Sequence, residues 1–420
     1  MSSTVQEASR LDAADPLAGF RERFALPRGA DGRPLTYLCG HSLGLAPLRA
    51  RAQVEEVLDD WDQLAVLAHE RARRPWIDFH EQLRAGLASL CGARPQEVVA
   101  MNSLTVNLHL MLASFYRPSG ARTRIVIEAG AFPSDRYAVA SQIAWHGLDP
   151  RRELIELAPG GDGLQQHAAL EQLLDAERER IALVLWPGVQ YLTGQAFALA
   201  PIARAAHRIG ALVGFDLAHA IGNIPLELTA SEGDFAVWCS YKYLNAGPGA
   251  IAGAFVHSRH HDRRDLPRLA GWWGNDLASR FEMRRELAPA AGVDAWQVSN
   301  PPILACAPLI ASLELFGAAG MQRLREKSVA LTGFLGRCIA PLPLTLLTPD
   351  APDERGCQLS LRIHGGSARG RKALEHLADA GVMCDWREPD ILRAAPVPLY
   401  NSFQDVERFA TVLAGVLGKA

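Results

Sequence analysis

The chain has 420 residues, more than one hydrophobic core usually organises, so two domains are expected. It is 49% hydrophobic and 21% charged with a formal net charge of −3, which excludes a disordered chain. That charge leaves no basic footprint for nucleic acid or an anionic membrane surface, so neither is expected as a partner.

The first residues, MSSTVQEASRLDAADP, have neither a basic region nor an apolar run, so they do not read as a secretory signal, and the expected compartment is the cytoplasm. No apolar run reaches the length of a membrane span; NPPILACAPLIASLELFG is broken by prolines and a glutamate. The seven cysteines, Cys39, Cys91, Cys239, Cys306, Cys338, Cys357 and Cys384, are odd in number and never spaced C-x-x-C, so reduced core thiols are expected and no metal site.

Residues 1–70 hold two helix-like segments and the loop LCGHSLGLAP, read as an N-terminal segment packing with a small C-terminal domain. From 71 to 310, short apolar β-branched runs alternate with helical patterns. The strands expected are EVVAM (97–101), RIVIE (124–128), IALVLW (181–186), ALVGFD (211–216), FAVWC (235–239) and AGAFVH (252–257). TVNLHLMLASFY, SDRYAVASQIAWHG, HAALEQLLDAERER and LAPIARAAHRIG are the helices between them. Runs apolar on both faces predict a mostly parallel sheet covered by helices, an α/β domain. From 311 to 420 the pattern becomes that of a smaller α+β domain: helical SVALTGFLGRCI, extended PLTLLTP and CQLSLRI, helical RKALEHLADAG, ILRAAPVPLY, and a last amphipathic helix, SFQDVERFATVLAGVL.

Ligands of open parallel sheets bind beyond the carboxyl ends of the strands, so those ends carry the functional reading. MNSLT (101–105) opens a helix whose free N–H groups suit a phosphate, although taken alone it reads first as a plain cap. AFPSD (131–135) offers a ring, a hydroxyl and a carboxylate. ALVGFDLAHA delivers Asp216 and His219, and WCSYKYLNAGPG delivers Lys242 at the end of the next strand. A desolvated lysine is a nucleophilic amine suited to an imine with an aldehyde. Phosphate cradle, stacking ring, acid and amine are together what pyridoxal phosphate needs. The glycines after Lys242 are expected to let the backbone pass close to that cofactor.

The sequence resembles the kynureninases, pyridoxal-phosphate enzymes of the aspartate-aminotransferase fold (fold type I). The likeness runs through SLGL (42–45), HERARRPW (69–76), MNSLTVNLHLML, EAGAFPSDRYA, GVQYLTGQ (188–195), VGFDLAHAIGN, WCSYKYLNAGPG, GWWG (271–274), SNPPIL (299–304) and RAAPVPLYNSF (393–403), in the family's order. The resemblance implies a homodimer that hydrolyses L-kynurenine or 3-hydroxykynurenine, the latter preferred, in tryptophan catabolism or NAD biosynthesis. It implies that Lys242 holds the cofactor and moves protons, with Tyr241 as acid/base partner. It places Asp216 at the pyridinium nitrogen, Asp135 close by, Phe132 on the ring beside Pro133 and Ser134, and Leu104, Thr105 and Tyr241 at the phosphate, with His219 adjacent. Trp272 and Asn300 are implied to come from a second subunit, His69, Ser299 and Asn300 to face the substrate ring, and Arg393 to clamp its α-carboxylate. His41 stands where many members carry Asn and Pro187 where some carry Ser, and neither is given a role. Two rival readings are a class V aminotransferase or a cysteine desulfurase of the same fold, the desulfurase needing an activated thiol such as Cys357, and a non-catalytic binding protein, which would be expected to lack Lys242.

Overall fold

The computed structural model describes residues 3–418. After a helix at Ser3–Ala13 and a two-residue strand, β1 (Thr36–Tyr37), the chain builds seven strands: β2 (Val98–Ala100), β3 (Arg124–Glu128), β4 (Leu154–Leu157), β5 (Ile181–Pro187), β6 (Leu212–Asp216), β7 (Phe235–Trp238) and β8 (Gly253–Val256). They form one sheet in the order β2-β8-β7-β6-β5-β3-β4. β4, β3, β5, β6 and β7 run parallel, and β8 lies antiparallel between β7 and β2. The chain therefore has the mostly parallel α/β sheet that the apolar runs predict.

Alternate residues of these strands feed two cores, one on each face of the sheet. Val126, Val184, Val213, Phe215 and Trp238 join one, and Ile125, Ile127, Leu183, Phe235 and Val237 join the other. Strands buried on both faces are continuous apolar runs, which is why they stand out in the sequence. Two glycines mark close approaches between neighbouring strands. A Cβ at Gly214 would sit 2.1 Å from the Phe235 ring, and one at Gly253 would sit 2.2 Å from the Trp238 indole.

The last strands are β9 (Leu344–Leu346), β10 (Leu359–Ile363), β11 (Val382–Met383), β12 (Asp385–Arg387) and β13 (Ile391–Ala394). Four of them make an antiparallel sheet in the order β12-β13-β10-β9, while β11 pairs with β1. A third core lies here, formed with the helices Met321–Ile339, Ser367–Asp379 and Phe403–Leu417 and including Ala8 and Leu38 from the N-terminal residues. The Leu48–Leu64 helix packs instead on Ile303–Ala319. Among the described residues no single helix is long and apolar enough to cross a membrane.

The strand LIEL (β4) escapes the sequence reading because it is a half-exposed edge without a continuous apolar run. The AFPSD stretch turns directly into a helix, which begins at Pro133.

Candidate active site

At the carboxyl end of the parallel strands, Leu104, Thr105, Phe132, Ser134, Asp135, Asp216, His219, Tyr241 and Lys242 line one cavity. The sheet explains the convergence. β6 ends on Asp216, β7 runs parallel beside it, and the chain reaches Lys242 four residues after Trp238. The lysine turn is fastened by Asn245 N–H donating to the Lys242 carbonyl at 2.9 Å and Ala246 N–H to the Ser240 carbonyl at 3.0 Å. Lys242 Nζ sits 5.7 Å from the Phe132 ring centre and 6.0 Å from that of Tyr241. Gly247 and Gly249 do not line the cavity, contrary to expectation; they take φ of +84° and +73°, which turn the chain in open space.

Two buried carboxyls face each other inside. Asp216 accepts the Ala218 N–H at 2.6 Å, while Asp135 Oδ1 has no hydrogen-bond partner. Burial raises both acids, and for Asp135 the Asp216 charge adds to it. Two such groups share a proton rather than both ionise, so the pair is suited to receive an N–H cation. Glu128, at the end of β3, is a third acid on the cavity wall, pushed up to about 8 chiefly by burial. His219 is held neutral by burial and by the Lys242 and Arg393 charges, and its Nδ1 also lacks a partner.

At the same cavity, two helix N-termini meet. The Leu104–Phe115 helix starts after Ser103 and the Pro133–Trp145 helix after Phe132, and neither N-cap side chain accepts a helix N–H. Thr105 Oγ1 and Ser134 Oγ join the two first turns at 2.7 Å. Uncapped N–H groups, two hydroxyls and two positive helix ends make an anion cradle. The half-exposed Phe132 ring stands edge-on to Tyr191 at 5.2 Å. The orphaned Asp135 and His219 atoms and the open cradle fit a phosphate-bearing aromatic cofactor, and Lys242 lines the same cavity.

The fold is shared with pyridoxal-phosphate proteins. A C-DES mutant with glycine linked to its PLP cofactor superposes with a TM-score of 0.75 at 20% identity, covering 92% of this chain and 97% of that one. The cysteine desulfurase CsdA of Escherichia coli superposes with a TM-score of 0.76 at 18% identity, covering 95% and 98%. A family model described as the kynureninase C-terminal domain matches residues 324–413. Kynureninase of Xanthomonas campestris is 56% identical over 405 residues, 96% of this chain and 95% of that protein. The chain belongs to the kynureninase family. Kynureninase of Stenotrophomonas maltophilia is 54% identical over 406 residues, 96% of each chain.

Other residues that the family resemblance singles out lie elsewhere. His69, Trp272, Ser299 and Asn300 are exposed and do not line the cavity. Pro133 opens the cradle helix but does not line the cavity either. Arg393 is fully buried, and its guanidinium is engaged by Asp385 and the Tyr191 carbonyl. Cys357 is fully buried, and burial pushes its thiol up to about 12, so it lacks the exposed, activated thiolate of a desulfurase. Sequence reasoning passed over Glu128, Tyr191 and Asp385. Glu128 ends a strand run, the one signal that pointed to it, whereas Asp385 follows no motif.

Proposed function

We propose that this kynureninase-family enzyme hydrolyses the Cβ–Cγ bond of L-kynurenine and 3-hydroxykynurenine, giving L-alanine and anthranilate or 3-hydroxyanthranilate, with pyridoxal phosphate held by Lys242. The observation that carries the reading is the single cavity that gathers Lys242, the paired Asp135 and Asp216, and two uncapped helix N-termini. When bound, pyridoxal phosphate supplies an aldehyde that takes an amine and a ring that accepts electrons from the substrate Cα. Asp216 holds the ring N–H, and Asp135, beside it, keeps that end of the cavity acidic. Leu104 and Thr105 N–H groups and the Thr105 and Ser134 hydroxyls bind the phosphate. Lys242, once its nitrogen is freed, takes the Cα proton at Nζ and returns it. Tyr241 Oη, kept protonated by burial and by Cys239, donates to the departing side of the substrate. Arg393 binds the α-carboxylate.

The active unit is a homodimer. Its support is that His69, Trp272, Ser299 and Asn300 lie exposed outside their own chain's cavity. The segment around Trp272 also exposes Leu269, Leu277, Phe281, Met283 and Leu287, a set of large apolar side chains suited to an interface. Borohydride reduction of the yellow protein tests the assignment: it should lock a pyridoxyl group onto the Lys242 peptide, and L-alanine should appear from L-kynurenine. Labelling of another lysine, or no alanine from either substrate, refutes it.

A further inference from the structure

Asp385 stands directly across from Arg393, in register on the neighbouring antiparallel strand β12. Arg393 donates from Nε to Asp385 Oδ1 at 2.7 Å, from Nη2 to Oδ2, and from Nη1 to the Tyr191 carbonyl at 2.6 Å. A guanidinium carries five N–H groups. These bonds leave one hydrogen on Nη1 and one on Nη2 for a further acceptor.

Asp385 is fixed on two further sides. Arg387 Nη2 lies 3.1 Å from Oδ2, and His41 Nε2 lies 3.1 Å from Oδ1. His41 is fully buried, and burial and the Arg393 charge lower it to about 4, so the ring is neutral. Burial raises the Asp385 carboxyl, but His41 and Arg393 more than reverse this and keep it ionised. Two guanidinia, one carboxylate and a neutral imidazole leave one net positive charge. It is felt at Tyr191 and His219, both on the cavity wall. Arg387 is partly solvated, but Arg393 is fully buried, and a guanidinium with hydrogens to spare in such a place takes a further acceptor.

We propose that Asp385 is the positioning residue of the carboxylate clamp: it grips the side edge of Arg393 and presents the Nη1–Nη2 end to the substrate α-carboxylate, with His41 bracing Asp385. The proposal rests on the reading of Arg393 as the clamp. His41 comes from the loop that also touches the lysine turn, where Gly44 N–H donates to the Tyr241 carbonyl at 2.8 Å, so one loop braces both halves of the site.

The test titrates the holoenzyme with L-kynurenine and with its decarboxylated amine, following the cofactor absorbance, alongside steady-state kinetics. In Asp385→Asn, KM should rise about tenfold or more with kcat within about threefold, and the preference for the amino acid over the amine should shrink by a similar factor. That preference is a ratio within one sample, so a partly unfolded preparation does not move it, and a loss of stability alone leaves it intact. An unchanged preference overturns the proposal. If Asp385→Asn does not fold, Asp385→Glu, which keeps the charge but displaces the carboxylate, carries the same comparison. Arg393→Lys separates the two ideas. If it leaves the preference unchanged, the clamp reading itself falls; if it abolishes the preference while the Asp385 variant keeps it, only the role of Asp385 falls.

Discussion

Gly44→Ala should damage catalysis more than any change of similar size elsewhere in the SLGL loop. A Cβ on Gly44 would lie 2.3 Å from the Lys242 carbonyl oxygen, 2.3 Å from Asn245 Oδ1 and 2.8 Å from Asn245 Cα, where ordinary contact begins near 3.4 Å. The backbone of the lysine turn must therefore retreat by roughly an ångström, because two of these three atoms are main chain and only the Asn245 amide could swing aside. The turn has little slack. Asn245 holds φ at +53°, its N–H is bonded to Lys242, and Ser312 Oγ donates to the Leu244 carbonyl. Overpacking of this kind costs about 1–3 kcal/mol of stability, and a displacement of about 1 Å at a reacting group lowers kcat by about a hundredfold. Steady-state kinetics, a denaturant midpoint and the cofactor absorbance measure the three effects separately. A kcat within about threefold of the parent would show that the turn can shift without moving Lys242, and would refute the reasoning.

Asp234, fully buried at the opposite, amino end of β7, accepts N–H donors from His207 at 2.9 Å, His260 at 2.7 Å, Arg259 at 2.6 Å and Val213 at 2.7 Å; Asp234→Asn should cost about 3–5 kcal/mol in a denaturant melt with kcat per folded molecule unchanged. In the cofactor-free protein the raised Glu128 pKa means that the folded state keeps a proton which the unfolded chain loses above about pH 4.3, so stability should fall as pH rises from there to about 8. Glu128→Gln should flatten that slope in thermal melts at pH 5.5 and 8, and parallel slopes in the two proteins would count against it. Mixing Lys242→Ala with Asn300→Ala protomers should restore part of the activity by creating one intact shared site, whereas an active monomer in sedimentation would rule this out. The hydroxylated substrate should be favoured about tenfold or more in kcat/KM, because His69, Ser299 and Asn300 would otherwise be left unpaired. His69→Phe and Asn300→Thr should each reduce the margin, and equal kcat/KM values in the parent would defeat it.

What could be read from the sequence follows from the parallel sheet. Strands buried on both faces are visible as apolar runs, and a parallel sheet sends every carboxyl end to the same side. Asp216 and Lys242 could therefore be placed in one cleft before any coordinate was known, and Phe132, Ser134 and Asp135 followed from the next strand ends. Half-exposed β4 offered no such run. Nor could the uncapped state of the cradle helices be foreseen, since Ser103 reads as an ordinary cap until its side chain proves to accept nothing from the first turn.

The partners of Arg393 were hidden for a different reason. Arg393 and Asp385 are eight residues apart, and they meet only because β12 and β13 pair antiparallel in one particular register. A slip of one residue would turn Asp385 to the other face of the sheet and leave the buried guanidinium without its partner. His41 reaches the same carboxylate from more than three hundred residues away, through a loop in which the family resemblance gave the histidine no role. Residue type at a strand end thus announces which chemistry is available, whereas the partners that orient and charge it are set by register and loop packing. That division also leaves His69, Trp272, Ser299 and Asn300 exposed within one chain, where the proposed homodimer would bring them to a second copy's cavity. Their residue types suit an aryl pocket, yet no packing within one chain brings them to Lys242.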